Sequence, residues 1–196
     1  MMDKSEDTWQ FPPTSLDGEQ ALTAAVVAAH HEVLTGQLQG DPMLNPAIGI
    51  EPRSFRELDD WRVLLLLTPW MLARLLFPSS PPSVAIPNTW SAAARRDADY
   101  IVLGPQVRFE LLGQPQKAHL NYHPTLGHYL IQPLCLDLSS YRDAESVFAA
   151  WNQVIQTRDA NMEKTKRDCP MQREISRREL FAGLPIEKPA STNGGK

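Results

Sequence analysis

Apolar positions recur at helical spacing near the start of the chain. Leu22, Val26, Ala29 and Val33 stand four, three and four residues apart, which places them on one helix face. Asp17 is positioned to cap this helix, with Gln20 as its capping-box partner, and Gly36 is a C-terminal stop. A helix is therefore expected from about Gly18 to Thr35. Residues 1–16 are polar and acidic and read as a disordered N-terminus. After a turn-rich stretch from Gly40 to Pro46, Ile48 and Ile50 alternate with small or polar neighbours as in a half-buried strand, which Pro52 ends or kinks.

Asp59 and Asp60 mark a turn, and the apolar run from Trp61 to Leu67 fits a strand buried on both faces. Thr68 and Pro69 resemble a helix start, so Trp70 to Phe77 is expected to form about two helical turns, ended by Pro78, Pro81 and Pro82. Thr89 to Arg96 is read as another short helix. Val107, Phe109 and Leu111 alternate in Gln106 to Leu112, which is strand periodicity. Gly113 to Gly127 reads as a long connection. His128 to Leu136 reads as the hairpin partner of the preceding strand, at an edge or bulged at Pro133. A final helix begins near Tyr141, capped by Ser140, with an apolar stripe of Ala144, Val147, Phe148, Trp151, Val154 and Ile155. The fold class that satisfies this order is α+β: a small antiparallel sheet packed by N- and C-terminal helices. Residues 17–158 form the single domain, and residues 159–196 a flexible tail.

Composition narrows the function. Hydrophobic residues make up 42% of 196 positions, enough for a core, and the net charge is −4. An acidic balance argues against a general nucleic-acid binder. The charge is uneven, however. From Arg158 onward there are nine basic and six acidic residues, so a basic tail follows an acidic body. Cys135 and Cys169 differ too much in setting to form a disulfide framework, and reduced thiols in a cytoplasmic protein are expected. The N-terminus lacks the basic start and apolar stretch of a secretion signal. Val63 to Phe77 is too short and too interrupted to span a bilayer.

Candidate chemistry is sparse. His119, His123 and His128 have no helical ligand spacing, because Pro124 and Gly127 break the segment, and no metal site is assigned. No nucleophile elbow, phosphate-cradling loop or dinucleotide fingerprint is present, and Cys135 reads as a packed thiol. No catalytic residue and no cofactor are assigned. Two segments remain. Thr68, Pro69, Trp70 and Met71 are either core or the lining of an apolar recognition groove, since Trp and Met suit apolar peptide segments. Ser176-Arg177-Arg178-Glu179-Leu180-Phe181 is similar to a twin-arginine export motif, though it stands near the wrong end of the chain for an export signal.

These segments together resemble the HybE/HupJ family of nickel–iron hydrogenase assembly chaperones. Asn45-Pro46, Trp61 to Met71, Phe77-Pro78, the strand around Tyr129 and Arg177 to Phe181 follow the family's order. Gln132 stands where the family strand has a cysteine, and Gly113 to Pro124 looks like an insertion. The resemblance implies a non-catalytic, cytoplasmic chaperone. Its partners would be hydrogenase small or large subunit precursors and other maturation proteins, with no nucleic acid and no membrane insertion. The chaperone would bind the small subunit's twin-arginine signal and delay export until assembly is complete. A scaffold for the maturation complex, or a metal-binding accessory protein, is the alternative. A twin-arginine signal offers two arginines and an apolar stretch, so the reader needs carboxylates and an apolar groove. Arg177, Arg178, Leu180 and Phe181 are expected to mimic the client and occupy that groove when it is empty.

Overall fold

The computed structural model describes residues 8–168, and it gives the side chains as far as residue 162. Six strands form one antiparallel sheet: β1 (Glu51–Leu58), β2 (Trp61–Thr68), β3 (Met71–Pro78), β4 (Gln106–Leu111), β5 (Gln114–His123) and β6 (Gly127–Cys135). Their spatial order is β1-β2-β3-β6-β5-β4. The helices are α1 (Glu19–Gly36), the short α2 (Ala92–Arg95) and α3 (Ala144–Asp168). The fold is the expected α+β arrangement of an antiparallel sheet with helices at its N- and C-terminal sides.

Both faces of the central strands are covered, which explains why β2 and β3 are almost continuously apolar. α1 lies on one face. Its buried stripe of Leu22, Val26, Ala29 and Val33 meets Leu64, Leu66, Ala73, Leu75, Phe77 and Tyr129. Val63, Leu76, Leu120 and Leu130 point to the opposite face, where Trp9, Ile86 and Trp90 cover them. The expected disorder of residues 1–16 does not extend to residues 8–16. Trp9 is buried, and Gln10 behaves as an added strand residue: its N–H donates to His128 Nδ1 at 2.9 Å, and its carbonyl accepts the His128 N–H at 2.7 Å. Gly127 permits this approach. A Cβ there would lie 2.3 Å from the Gln10 carbonyl oxygen, and the residue sits at φ 68°.

Several local readings are corrected by tertiary structure. Trp70 to Phe77 is not helical, because Pro69 and Trp70 form a two-residue hairpin turn and β3 follows at Met71. A run that is apolar on both sides has no periodicity by which a helix could be told from a central strand. Gly113 to Gly127 is not a long connection, since it contains β5. Leu112 (φ 52°) and Gly113 (φ 67°) make the tight β4–β5 turn. β6 pairs with β5 and β3, not with β4, so it is central. Pro133 lies opposite Ala73 beside a register shift, as a proline inside a sheet requires. The strand expected at Ile48 and Ile50 begins later, at Glu51, and Pro52 sits within it on the sheet edge.

Two caps also move. Gly18, not Asp17, occupies the N-cap of α1, and the Asp17 carboxylate lies 3.7 Å from the Arg62 guanidinium instead. α3 starts at Ala144, where Asp143 accepts the Ser146 N–H at 2.8 Å. The Ser140 cap at Tyr141 is not made.

The chain divides into two units, Met1–Ala149 and Ala150–Lys196. In the first, Val147 and Phe148 are buried, and the Arg53 guanidinium stacks 4.3 Å over the Phe148 ring while bonding Glu145 at 2.5 Å. In the second, α3 continues to Asp168, past the expected end of the domain. Val154, Ile155 and Met162 are exposed there.

Candidate functional site

Thr68, Pro69, Trp70 and Met71 come together as one hairpin turn, and all four are buried. The Thr68 hydroxyl brackets the turn by accepting the Met71 N–H and donating to the Met71 carbonyl, both at 3.1 Å. Asn45 locks it from outside. Its N–H donates to the Pro69 carbonyl at 2.9 Å, and its side-chain amide donates to the carbonyls of Leu138 (2.7 Å) and Tyr141 (2.8 Å). The Trp70 ring stacks on His30 of α1, with centroids 6.1 Å apart. These side chains are buried, and none of them lines the groove described below.

The histidines are also built into the fold. His30 is fully buried, and desolvation pushes its pKa down to about 4, although Nδ1 bonds the Val26 carbonyl at 2.8 Å. Burial lowers His128 as well, against the opposing pull of the Trp90 carbonyl, which lies 2.9 Å from Nε2. Since Nδ1 accepts from Gln10, Nε2 carries the proton, and neutral His128 joins residues 10 and 90 across one face of the sheet. Burial lowers His123 too, opposed by Glu32 at 3.8 Å. His119 bonds the Gly104 carbonyl at 2.7 Å. The Cys135 thiol, half-buried, donates to the Asp137 carbonyl at 3.2 Å. Among the described residues no group of three or more His, Cys, Asp or Glu side chains is placed to hold a metal.

The surface feature with recognisable chemistry lies elsewhere, where the two outer hairpins meet. The sheet coils until the β1–β2 turn touches the β4–β5 turn, and Asp59 Oδ2 accepts the Leu112 N–H at 2.6 Å. Beside this bond runs a groove of about 530 Å³. Trp61 and Phe109, packed edge to face at 5.1 Å, form its floor. Pro78, Pro81, Pro82, Pro115 and Arg108 line it as well. Asp60 and Glu110 stand at the lip, and with Asp59 they also line an adjoining hollow of about 490 Å³. The groove therefore offers two carboxylates and one guanidinium, that of Arg108, beside aromatic and proline surfaces, with acidic charge in excess. That combination binds a cationic group attached to an apolar one, through charge-assisted hydrogen bonds and aromatic packing.

Sequence reasoning missed this site because its residues come from three separated segments. The one local signal was Asp59-Asp60, which read simply as a turn.

A family model described as NiFe-hydrogenase assembly chaperone HybE matches residues 21–183. The chain belongs to the HybE family. Among solved structures, the solution structure of HybE from Escherichia coli is 17% identical, covering 88% of this chain and 84% of that one with a TM-score of 0.42. No curated protein matches. The HybE match spans both Asn45 and the Thr68–Met71 turn, which the structure joins through the Asn45–Pro69 bond. Arg177, Arg178, Leu180 and Phe181 lie outside the described residues. No helix among the described residues is long and apolar enough to cross a membrane.

Proposed function

We propose that this HybE-family chain is a non-catalytic cytoplasmic chaperone that grips the twin-arginine signal of a hydrogenase small-subunit precursor. By doing so it delays export until assembly is complete. The observation that carries this reading is the groove above Trp61 and Phe109, with Asp60 and Glu110 at its lip. A guanidinium pairs with a carboxylate through two parallel hydrogen bonds, which a lysine ammonium does not reproduce. The apolar residues that follow the arginines in such a signal suit the proline and aromatic surfaces. Thr68, Pro69, Trp70 and Met71 serve this site indirectly. Their turn, held by Asn45, sets the β2–β3 hairpin whose far end supplies Trp61 and Pro78.

The test is co-purification with the small-subunit precursor, carrying its arginine pair intact or replaced by glutamines. The intact precursor is recovered and the replaced one is lost, and Asp60→Asn with Glu110→Gln lowers recovery of the intact form. Equal recovery of both precursors makes the chain a subunit scaffold, a role indifferent to the signal.

A further inference from the structure

The two edges of the sheet are built differently. On β1, Pro52 has no N–H to offer, and the register shifts between Arg53 and Arg56 with Ser54 at φ 53°. Arg53 is held by Glu145 and Phe148. Proline, a bulge and an engaged charge are the means by which proteins close an edge to further strands. β4 has neither proline nor bulge, and its two exposed charges, Arg108 and Glu110, are of opposite sign. Its six residues pair with β5 without a shift and include no proline.

The alternation of hydrogen-bonded pairs tells which β4 groups are open. Leu120 N–H donates to the Pro105 carbonyl at 2.9 Å, so residue 105 faces β5. In an antiparallel ladder the facing residues alternate, so Val107, Phe109 and Leu111 also turn their amides to β5. Gln106, Arg108 and Glu110 turn theirs outward. Leu112 continues that outward series, and its N–H is the one taken by Asp59. Among the described residues the outward backbone groups of Gln106, Arg108 and Glu110 pair with no other backbone group. They repeat every second residue, about 7 Å apart.

We propose that β4 is a strand-addition site, and that the client's arginine-bearing segment binds there as an extended strand. This rests on the function proposed above and adds how the peptide is held. Main-chain bonds from residues 106, 108 and 110 supply affinity without regard to sequence, and alternate peptide side chains enter the groove. Residues 108–110 line that groove, so a strand on the β4 edge runs along it, with Glu110 and Asp60 placed for cationic side chains. Residues of the segment from Pro78 to Ser83 line the same groove.

Amide hydrogen exchange on the full chain, with and without a synthetic twin-arginine signal peptide, tests this. At saturation the N–H groups of Gln106, Arg108 and Glu110 slow by about tenfold or more, with smaller changes at Val107, Phe109 and Leu111. N-methylation of alternate peptide amides weakens binding in one register and leaves the other unaffected. Binding that leaves the three amides unchanged overturns strand addition while the chaperone reading stands. Absence of any peptide binding overturns both. Protection that grows with protein concentration in the absence of peptide makes the occupant a second copy, and also overturns the proposal.

Discussion

Asp59 and Leu112 belong to the outermost hairpins of a six-stranded sheet, yet the Asp59 carboxylate accepts the Leu112 N–H at 2.6 Å. The bond ties the turns of the two outer hairpins together, and the groove lies beside it. Asp59→Ala removes the acceptor and adopts the left-handed backbone of this position, φ 51°, less readily than aspartate does. A loss of about 1 kcal/mol is expected in chemical denaturation, with weaker binding of signal peptide. Asp59→Asn retains an acceptor oxygen and recovers most of both.

Asn45 carries a heavier structural role. Its side chain serves the carbonyls of Leu138 and Tyr141 and accepts the Ala47 N–H at 2.9 Å, all from a buried position. Asn45→Ala leaves those groups unpaired, and a loss of about 2–4 kcal/mol in a urea titration is expected. Unchanged stability contradicts the view that the Asn45 side chain anchors the carbonyls of Leu138 and Tyr141.

Much of the fold was legible in the residues. The stripe of Leu22, Val26, Ala29 and Val33 gave α1 within a residue at each end, because α1 is amphipathic against a single sheet face. β3 was misread because Met71, Ala73, Leu75 and Phe77 share a core with α1 while Leu76 meets the other layer and Leu72 is buried too, which erases the alternation. β5 was missed for the opposite reason. His119, Asn121 and His123 look like loop residues, but Asn121 is buried, donating to the carbonyls of Ile101 (2.9 Å) and Val102 (3.1 Å). The groove depends on the sheet's coil, a tertiary property. No local pattern joins Asp60 to Glu110.

The buried histidines make stability depend on pH. His30 has an ordinary value of 6.5 and is pushed down to about 4 by burial. As pH falls below 6.5, the unfolded chain takes up a proton that the folded chain refuses, so the unfolded state gains. Full stability lies above pH 6.5. It falls by about 1.4 kcal/mol per pH unit towards pH 4, where the folded imidazole itself protonates and the loss levels off. The His123 and His128 shifts, also downward, act with the same sign. Urea titrations at pH 7, 6 and 5 should show this decline, and His30→Gln should make it shallower. A decline equally steep in that variant assigns the effect to other groups.

The most direct test of the central claim is a calorimetric titration of the full chain with two signal peptides, identical except that the arginine pair is replaced by a lysine pair. The arginine peptide binds, and the lysine peptide, of equal charge, binds about tenfold or more weakly, because bidentate pairing with the groove carboxylates is lost. Equal affinity for the two peptides, or binding of neither, contradicts recognition of a twin-arginine signal by this chain.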